Sequence, residues 1–294
     1  MTEMKLGALN DAEEATVPDG LPFIVDSHVH VFPTGLFKAI HSWFDEYAWP
    51  IRYRLSSKEV IHYLLSRGVG QIVAFQYAHK QGIAEDLNKY MGELCRAFPG
   101  QVVGMATVFP GEPGSTGILQ KAFKAGLHGV KLHAHVQCFD LNGPDMKLIY
   151  ELCQAENKPL VMHASREPKS SAYKCDPHLL CSAEKLETVL DAYPRLKVCV
   201  PHLGIDEFET YKMLIEKYDT LWLDTAMAVT DYFPVRLPYN LDALRADRVM
   251  YGSDFPNIPY AWDRELKHIH AKYQDHEFLR LLLAENARAF FAIP

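Results

Sequence analysis

The stretch FIVDSHVH, residues 23–30, places an aspartate and two histidines inside an apolar run. Asp26, His28 and His30 stand at every second position, and side chains with that spacing point to one face of a β-strand. Buried carboxylates and imidazoles need partners. The stretch therefore predicts a core strand that ends at a functional site.

Short β-branched or apolar runs of this kind recur along the chain, and each is followed by a longer stretch with helical periodicity. Eight such units predict a closed parallel (β/α)₈ barrel, the TIM barrel, because a doubly wound sheet usually has fewer units. The predicted strands are FIVDSHVH (23–30), QIVAFQY (71–77), VVGMATVF (102–109), GVKLHAH (129–135), PLVMHA (159–164), KVCVPHLG (197–204), LWLDTAM (221–227) and VMYGSDF (249–255).

Composition and charge exclude several classes of protein. The 294 residues are 48% apolar and 23% charged, with a formal net charge of -7 and no basic run longer than two residues, so nucleic acid is not an expected partner. No apolar run approaches the roughly 20 residues that cross a bilayer. Residues 1–20 are acidic and lack the features of a signal peptide. We therefore predict a flexible leader over 1–20 and one barrel domain over 21–294, in a cytoplasmic protein.

The connection after the first predicted strand, residues 31–70, is long and contains an aromatic-rich insertion. Loops that follow the strands of a barrel lie on its active face. We expect this insertion, and the loop SREPKSSAYKCDPHLLCS at 165–182, to form a lid or a pocket wall. Packing against the barrel rim or an oligomer contact is the alternative. The insertion aromatics and Tyr173 suggest an apolar or planar substrate moiety.

Groups that ligate metals or transfer protons stand at the ends of six predicted strands. A lone histidine in a strand is more often a core residue, but a convergence of this size is typical of a catalytic barrel. A divalent cation would be a common partner for these groups, and three or four N and O ligands suit zinc, with manganese, iron or cobalt as alternatives. The groups are Asp26, His28, His30, Lys131, His133, His135, His163, His202, Asp224 and Asp254.

Four motifs in order, DSHVH, VMHA, PHLG and YGSDFP, resemble those of the metal-dependent amidohydrolase superfamily. Within it the pattern is similar to the amidohydrolase 2 branch, which includes uncharacterised hydrolases, lactonases and aminocarboxymuconate-semialdehyde-type decarboxylases. The resemblance extends from about residue 21 to the closing ENARAFF helix at 285–291. It implies a TIM barrel, and a homodimer is a common state of such barrels.

The resemblance implies roles for five residues. His28, His30 and His163 would bind the metal. Asp254 would ligate it or contact its bound water, where an ionised carboxylate can orient that water or take its proton. His202 would bind a second ion or act as an acid or base beside the first.

Four further residues have predicted roles with alternatives. We expect Asp26 to orient a ligand imidazole through its second ring nitrogen, the alternative being a backbone hydrogen bond. The resemblance implies that Lys131, if carbamylated, bridges two ions. If unmodified, it would bind a substrate carboxylate with help from His133, so the ion count is one or two. Arg166 offers a planar fork to an anionic substrate, against an ion pair with Glu167 or a rim carboxylate.

Three functions compete. The first is a metal-dependent hydrolase in which activated water attacks the carbonyl of a small lactone, amide or ester that carries a carboxylate. The alternative is a metal-dependent nonoxidative decarboxylase, a lyase, acting on a small aromatic or dienoic acid. The third is an inactive barrel with a binding role, and it ranks last because all the strand-end groups are present.

Overall fold

A computed structural model describes residues 10–232 and 240–293 of the chain, and this part contains eight parallel β-strands. Each strand lies within one of the predicted runs. The strands are β1 (Val25–His30), β2 (Gln71–Phe75), β3 (Val102–Gly104), β4 (Val130–His133), β5 (Leu160–His163), β6 (Val198–Val200), β7 (Leu221–Asp224) and β8 (Val249–Met250).

The strands follow one another in chain order and close into a ring. Hydrogen bonds join β1 to β3 in one sheet and β4 to β8 in another. Parallel bridges connect the sheets at Ala106 with Val130 and at Val29 with Phe255. The backbone N–H of Asp254 also donates to the carbonyl oxygen of His28 at 2.9 Å. This arrangement is a (β/α)₈ barrel, as predicted.

Helices connect the strands, and α2 begins at a capping box. Ser56 is its N-cap, and the Glu59 carboxylate accepts the Ser56 backbone N–H at 2.7 Å. The helices are α1 (Thr34–Tyr47), α2 (Ser57–Ser66), α3 (Ala84–Ala97), α4 (Ser115–Lys124), α5 (Ala134–Gln137), α6 (Pro144–Ala155), α7 (Pro177–Leu180), α8 (Ala183–Ala192), α9 (Phe208–Lys217), α10 (Arg264–Lys272), α11 (His276–Arg280) and α12 (Asn286–Phe291).

The inside of the barrel is filled by a cluster to which seven of the eight strands contribute. Residues from opposite sides of a ring meet only in its interior, so this cluster is the barrel core. Phe290 and Phe291 of α12 belong to it, and many of its strand residues lie near the strand starts. Helix α12 therefore closes one end, and the carboxyl ends of the strands remain for the site.

The predicted leader lies partly on the barrel. Its first nine residues are outside the described part of the chain. Further on, the Glu13 carboxylate accepts a hydrogen bond from the Arg52 guanidinium at 3.0 Å, and the Asp11 carboxylate pairs with Arg264 at 2.6 Å. Residues near 11–13 are thus attached to the domain. Among the described helices, none combines the length and apolar character needed to cross a membrane.

Candidate active site

Three buried donor atoms converge where β1 meets the segment after β8. The Nε2 atoms of His28 and His30 lie 3.3 Å apart, and Asp254 Oδ1 lies 3.2 Å from the first and 2.9 Å from the second. Ligands about 2.0–2.1 Å from one ion lie about 3 Å from one another, so the spacing fits a divalent metal. Asp254 has a left-handed backbone, with φ of 63°. Such conformations concentrate at functional sites.

Asp224, at the end of β7, orients the His28 ring. Its Oδ2 lies 2.9 Å from His28 Nδ1, and its Oδ1 accepts the backbone N–H groups of His202 and Ala226 at 3.1 Å. Burial would raise the pKa of Asp224, but His28 and these donors hold it below its usual value. An ionised Asp224 keeps the His28 proton on Nδ1, which leaves Nε2 available to a metal.

Asp26 has a different role from the predicted one. Its carboxylate accepts the Ser253 hydroxyl at 2.6 Å and the backbone N–H groups of Ser253 and His28 at 3.0 and 3.1 Å. Burial raises its pKa to about 7. Asp26 therefore joins β1 to the segment after β8, which is close to the backbone alternative. The prediction that it orients a ligand imidazole is corrected, since Asp224 makes that contact.

His163, at the end of β5, lies beside the three-donor cluster rather than within it. Its ring stacks on His133 with centroids 4.3 Å apart, and its Nε2 lies 3.3 Å from the carbonyl oxygen of Glu167. Burial and the neighbouring histidines lower its pKa well below 6.5. The ring is therefore neutral, which is the form that can bind a metal. Its role as a ligand stays a prediction.

His202 follows β6 and faces the cluster from the other side. Its ring centroid lies 5.3 Å from that of His28 and 5.1 Å from that of His163. Its Nδ1 lies 2.7 Å from the Ala226 carbonyl oxygen. A carbonyl only accepts, so Nδ1 carries the proton and Nε2 is the basic atom. Burial lowers the pKa of His202.

The fourth strand is shorter than predicted. β4 ends at His133, and His135 belongs to α5, so the two-residue spacing of Lys131, His133 and His135 does not continue along one strand. Lys131 is buried, with Nζ 4.7 Å from the Phe75 ring centroid. Burial lowers its pKa to about 8, although Asp224 and Asp254 favour its charge.

Arg166 adopts the arrangement given as its alternative. Its guanidinium pairs with Glu207 at 3.3 Å and with Asp206 at 3.6 Å. Lys131 and Lys169 line the cavity above the cluster, whereas Arg166 is not among the described residues that line it. The contact of Arg166 with an anionic substrate stays a prediction.

A cavity of about 310 Å³ opens above the cluster, and its walls are largely aromatic. Trp43 of α1 stacks on Tyr173 of the loop after β5, with centroids 5.5 Å apart and planes 28° apart. Both segments predicted to form a lid or wall therefore line the cavity. Its floor contains His28, His30, Lys131, His163, His202 and Asp254, and its aromatic lining is Trp43, Phe44, Tyr47, Trp49, Tyr77 and Tyr173.

A protein-family model described as Amidohydrolase matches residues 25–293. No curated protein matches the sequence. Several solved structures share the fold at low sequence identity. One is 5-carboxyvanillate decarboxylase from Novosphingobium aromaticivorans DSM 12444, complexed with manganese and 4-hydroxy-3-methoxy-5-nitrobenzoic acid (15% identity, 96% of this chain and 99% of that chain covered, TM-score 0.69). Another is 2,6-dihydroxybenzoate decarboxylase complexed with 2,6-dihydroxybenzoate (14%, 93% and 100%, 0.64). A third is an amidohydrolase from Burkholderia multivorans with bound HEPES (14%, 93% and 100%, 0.62).

Proposed function

This chain belongs to the amidohydrolase family, in its amidohydrolase 2 branch, and we propose that it is a metal-dependent decarboxylase of a small planar carboxylic acid. The sequence alone ranks hydrolysis first. The aromatic cavity reverses that order, because apolar walls exclude the water that hydrolysis needs and favour dispersal of the carboxylate charge. Two structurally similar proteins act on aromatic acids, which agrees with this order.

The observation that carries the proposal is the position of the buried cluster beneath aromatic walls. The Trp43 and Tyr173 rings form one side of the cavity. Lys131 and Lys169 also line the cavity and provide positive charge. Flat walls select a flat ligand, and cations beside a metal select an anion. A planar acid satisfies both requirements.

His28, His30 and Asp254 would hold the divalent ion, and zinc and manganese both fit two nitrogen donors and one oxygen donor. When bound, the ion would attract a carboxylate or carbonyl oxygen and stabilise negative charge there. Lys131 would add a second positive charge for the carboxylate. Its pKa of about 8 also leaves a fraction of neutral amine. A carbamate on Lys131 with a second ion therefore remains the two-ion form of the proposal.

His202 would transfer the proton. Its Nδ1 is committed to the Ala226 carbonyl, so Nε2 accepts a proton from the substrate or solvent and returns it to the carbon that loses CO₂. The carbon–carboxylate bond breaks, CO₂ departs, and the electron pair that remains on carbon takes the proton. Asp224 fixes the His202 backbone through Oδ1, so one carboxylate positions both His28 and His202.

Hydrolysis is the second candidate, and Asp254 favours it. Burial would raise the pKa of this carboxylate, but His28 and His30 hold it well below 3.8. Asp254 therefore stays ionised and can accept a proton from water. A lactone, amide or ester with a carboxylate would fit the same cavity.

The test uses zinc-loaded and manganese-loaded protein with two substrate panels: hydroxybenzoates and dienoic acids followed for CO₂ release, and lactones followed for acid production. We expect CO₂ release that requires metal. We also expect His202→Gln to lower kcat by about 10²–10⁴-fold, the usual contribution of a general acid or base, with little change in KM. Lactone turnover without CO₂ release would establish hydrolysis instead. Protein that binds well under one equivalent of metal, with no gain from added zinc or manganese, would favour the inactive barrel.

A further inference from the structure

A second cavity, of about 320 Å³, lies against the first. Five residues line both cavities, so the two share a wall: Trp43, Phe44, Tyr77, His133 and Tyr173. The remaining lining includes Leu36, Ala39 and Ile40 of α1 and Val136 of α5. The second cavity thus extends from the candidate site along one side of α1.

The second cavity differs from the first in its chemistry. Its lining is mainly aliphatic and aromatic, and none of the described residues that line it is acidic. The candidate ligands His28, His30 and Asp254 line only the first cavity. Among the described residues that line the second cavity, Lys174 carries a charge, and it is exposed to solvent. An apolar group fits this space, whereas a carboxylate fits the floor of the first cavity.

The volumes indicate a ligand larger than one ring. Ligand cavities span about 300–1,000 Å³, so the first cavity alone lies at the lower end of that range. An apolar cavity next to a site is favourable to fill, because its walls gain contacts and give up poorly bound water.

We propose that the second cavity is a specificity subsite that binds an apolar alkyl or aryl arm of the substrate, while the carboxylate of the same molecule lies at the metal cluster. The inference rests on the proposed function and narrows its substrate class to planar acids that carry such an arm. The stacked rings of Trp43 and Tyr173, from α1 and the loop after β5, form part of the wall along which the arm passes.

The test measures binding by calorimetry to manganese-loaded protein, with benzoate, 3-butylbenzoate and 4-butylbenzoate as probes. Each buried CH₂ group tightens binding by about fourfold, so a butyl arm that enters the subsite tightens it at least tenfold. Ala39→Trp fills the second cavity, because Ala39 lines it. Lys38→Trp is the matched control, since Lys38 precedes Ala39 on α1, is exposed as Ala39 is, and does not line the cavity.

We expect at least one butylbenzoate to bind tenfold or more tightly than benzoate to the wild type and to Lys38→Trp, and this gain to disappear in Ala39→Trp with the benzoate Kd unchanged. If Ala39→Trp does not fold, Ile40→Phe takes its place. No butyl gain in the wild type, or a gain that survives in Ala39→Trp, overturns the subsite.

The two proposals can fail separately. If the protein converts short planar acids but binds the butylbenzoates no more tightly than benzoate, the decarboxylase proposal stands and the subsite proposal is wrong. If the protein converts no acid, but binds a butylbenzoate more tightly than benzoate and loses this difference in Ala39→Trp, the subsite proposal stands and the decarboxylase proposal is wrong. Failure of every acid to bind overturns both.

Discussion

Asp224→Asn tests which carboxylate orients the metal-binding face of His28. One Asp224 oxygen faces the His28 Nδ1–H, and the other faces two backbone N–H groups, so every neighbour is a donor. Asparagine keeps the shape but has only one acceptor atom. If its NH₂ faces the backbone donors, two hydrogen bonds become repulsive. If it faces His28, the ring loses its acceptor or moves its proton to Nε2, the atom that would bind the metal.

Replacing a residue that orients a metal-binding histidine usually weakens metal affinity about 10–100-fold, and we expect a loss in that range for Asp224→Asn. Asp26→Asn is the matched control, because Asp26 is equally buried and bonds to the His28 backbone but not to its ring. With a pKa of about 7, Asp26 is already partly protonated at neutral pH. The Ser253 hydroxyl can accept a hydrogen bond from the new amide. We expect less than a threefold change in zinc affinity for this variant.

The assay is a competition between apoprotein and a chromophoric zinc chelator at pH 7.5, with circular dichroism melting of each apoprotein as the control for folding. An Asp224→Asn protein that folds and binds zinc within threefold of the wild type would show that Asp224 does not set the metal-binding face of His28. So would an Asp26→Asn protein that folds but loses more affinity than Asp224→Asn.

Four further predictions concern stability. Burial, and after it the neighbouring carboxylates, raise the pKa of Glu265 in the folded protein well above 4.5. The protonated Glu265 side chain therefore contributes its full stabilisation below about pH 4.5. This stabilisation is lost as the pH rises through the raised pKa. Glu265→Gln should therefore have a higher melting temperature than the wild type at pH 8 and the same melting temperature at pH 4, as measured by thermal melting at a series of pH values. Gly252→Ala should destabilise the fold by about 1–3 kcal/mol and weaken zinc binding, because the added Cβ would lie 2.6 Å from the Cβ of His28. Gly117→Ala lies in the first turn of α4, where an added Cβ would meet nothing within 4 Å beyond its chain neighbours and its own helix backbone, so it should instead stabilise the fold by up to about 1 kcal/mol in urea unfolding. Removing metal with a chelator should lower the melting temperature by roughly 5–10 °C relative to protein saturated at a thousand times its Kd, and an unchanged melting temperature would count against a metal site in the folded state.

The barrel could be predicted because each strand is a short apolar run bounded by turn residues, and that pattern is local. Most of the predicted runs extend beyond the observed strands, and at β4 this difference changes the position of a candidate site residue. The alternation of Lys131, His133 and His135 continues in the sequence, but the chain turns into α5 after His133. Two-residue spacing cannot distinguish a strand that continues from a strand that ends in a helical turn. The structure therefore removes His135 from the strand and leaves His133 stacked on His163.

The donors of the metal cluster could be predicted, but the residue that orients His28 could not. Asp26 is two residues from His28 in sequence, which made it the expected partner, whereas Asp224 is 196 residues away. The contact with Asp224 exists because the closed barrel turns the ends of β1 and β7 toward one interior. The sequence signal was present, since Asp224 stands at a strand end like the other candidates. What the sequence lacked was the angle at which each side chain enters the barrel.

This dependence on closure links the metal to the fold. His28 and His30 lie on the first strand and Asp254 follows the last, so an open barrel would separate the two halves of the cluster. The hydrogen bonds that close the ring, from the Asp254 backbone to His28 and from Ser253 to Asp26, lie within two residues of those ligands. A divalent ion would therefore bind the closed barrel in preference to any state in which β1 and β8 have parted, and its binding free energy would add to the stability of the closed state.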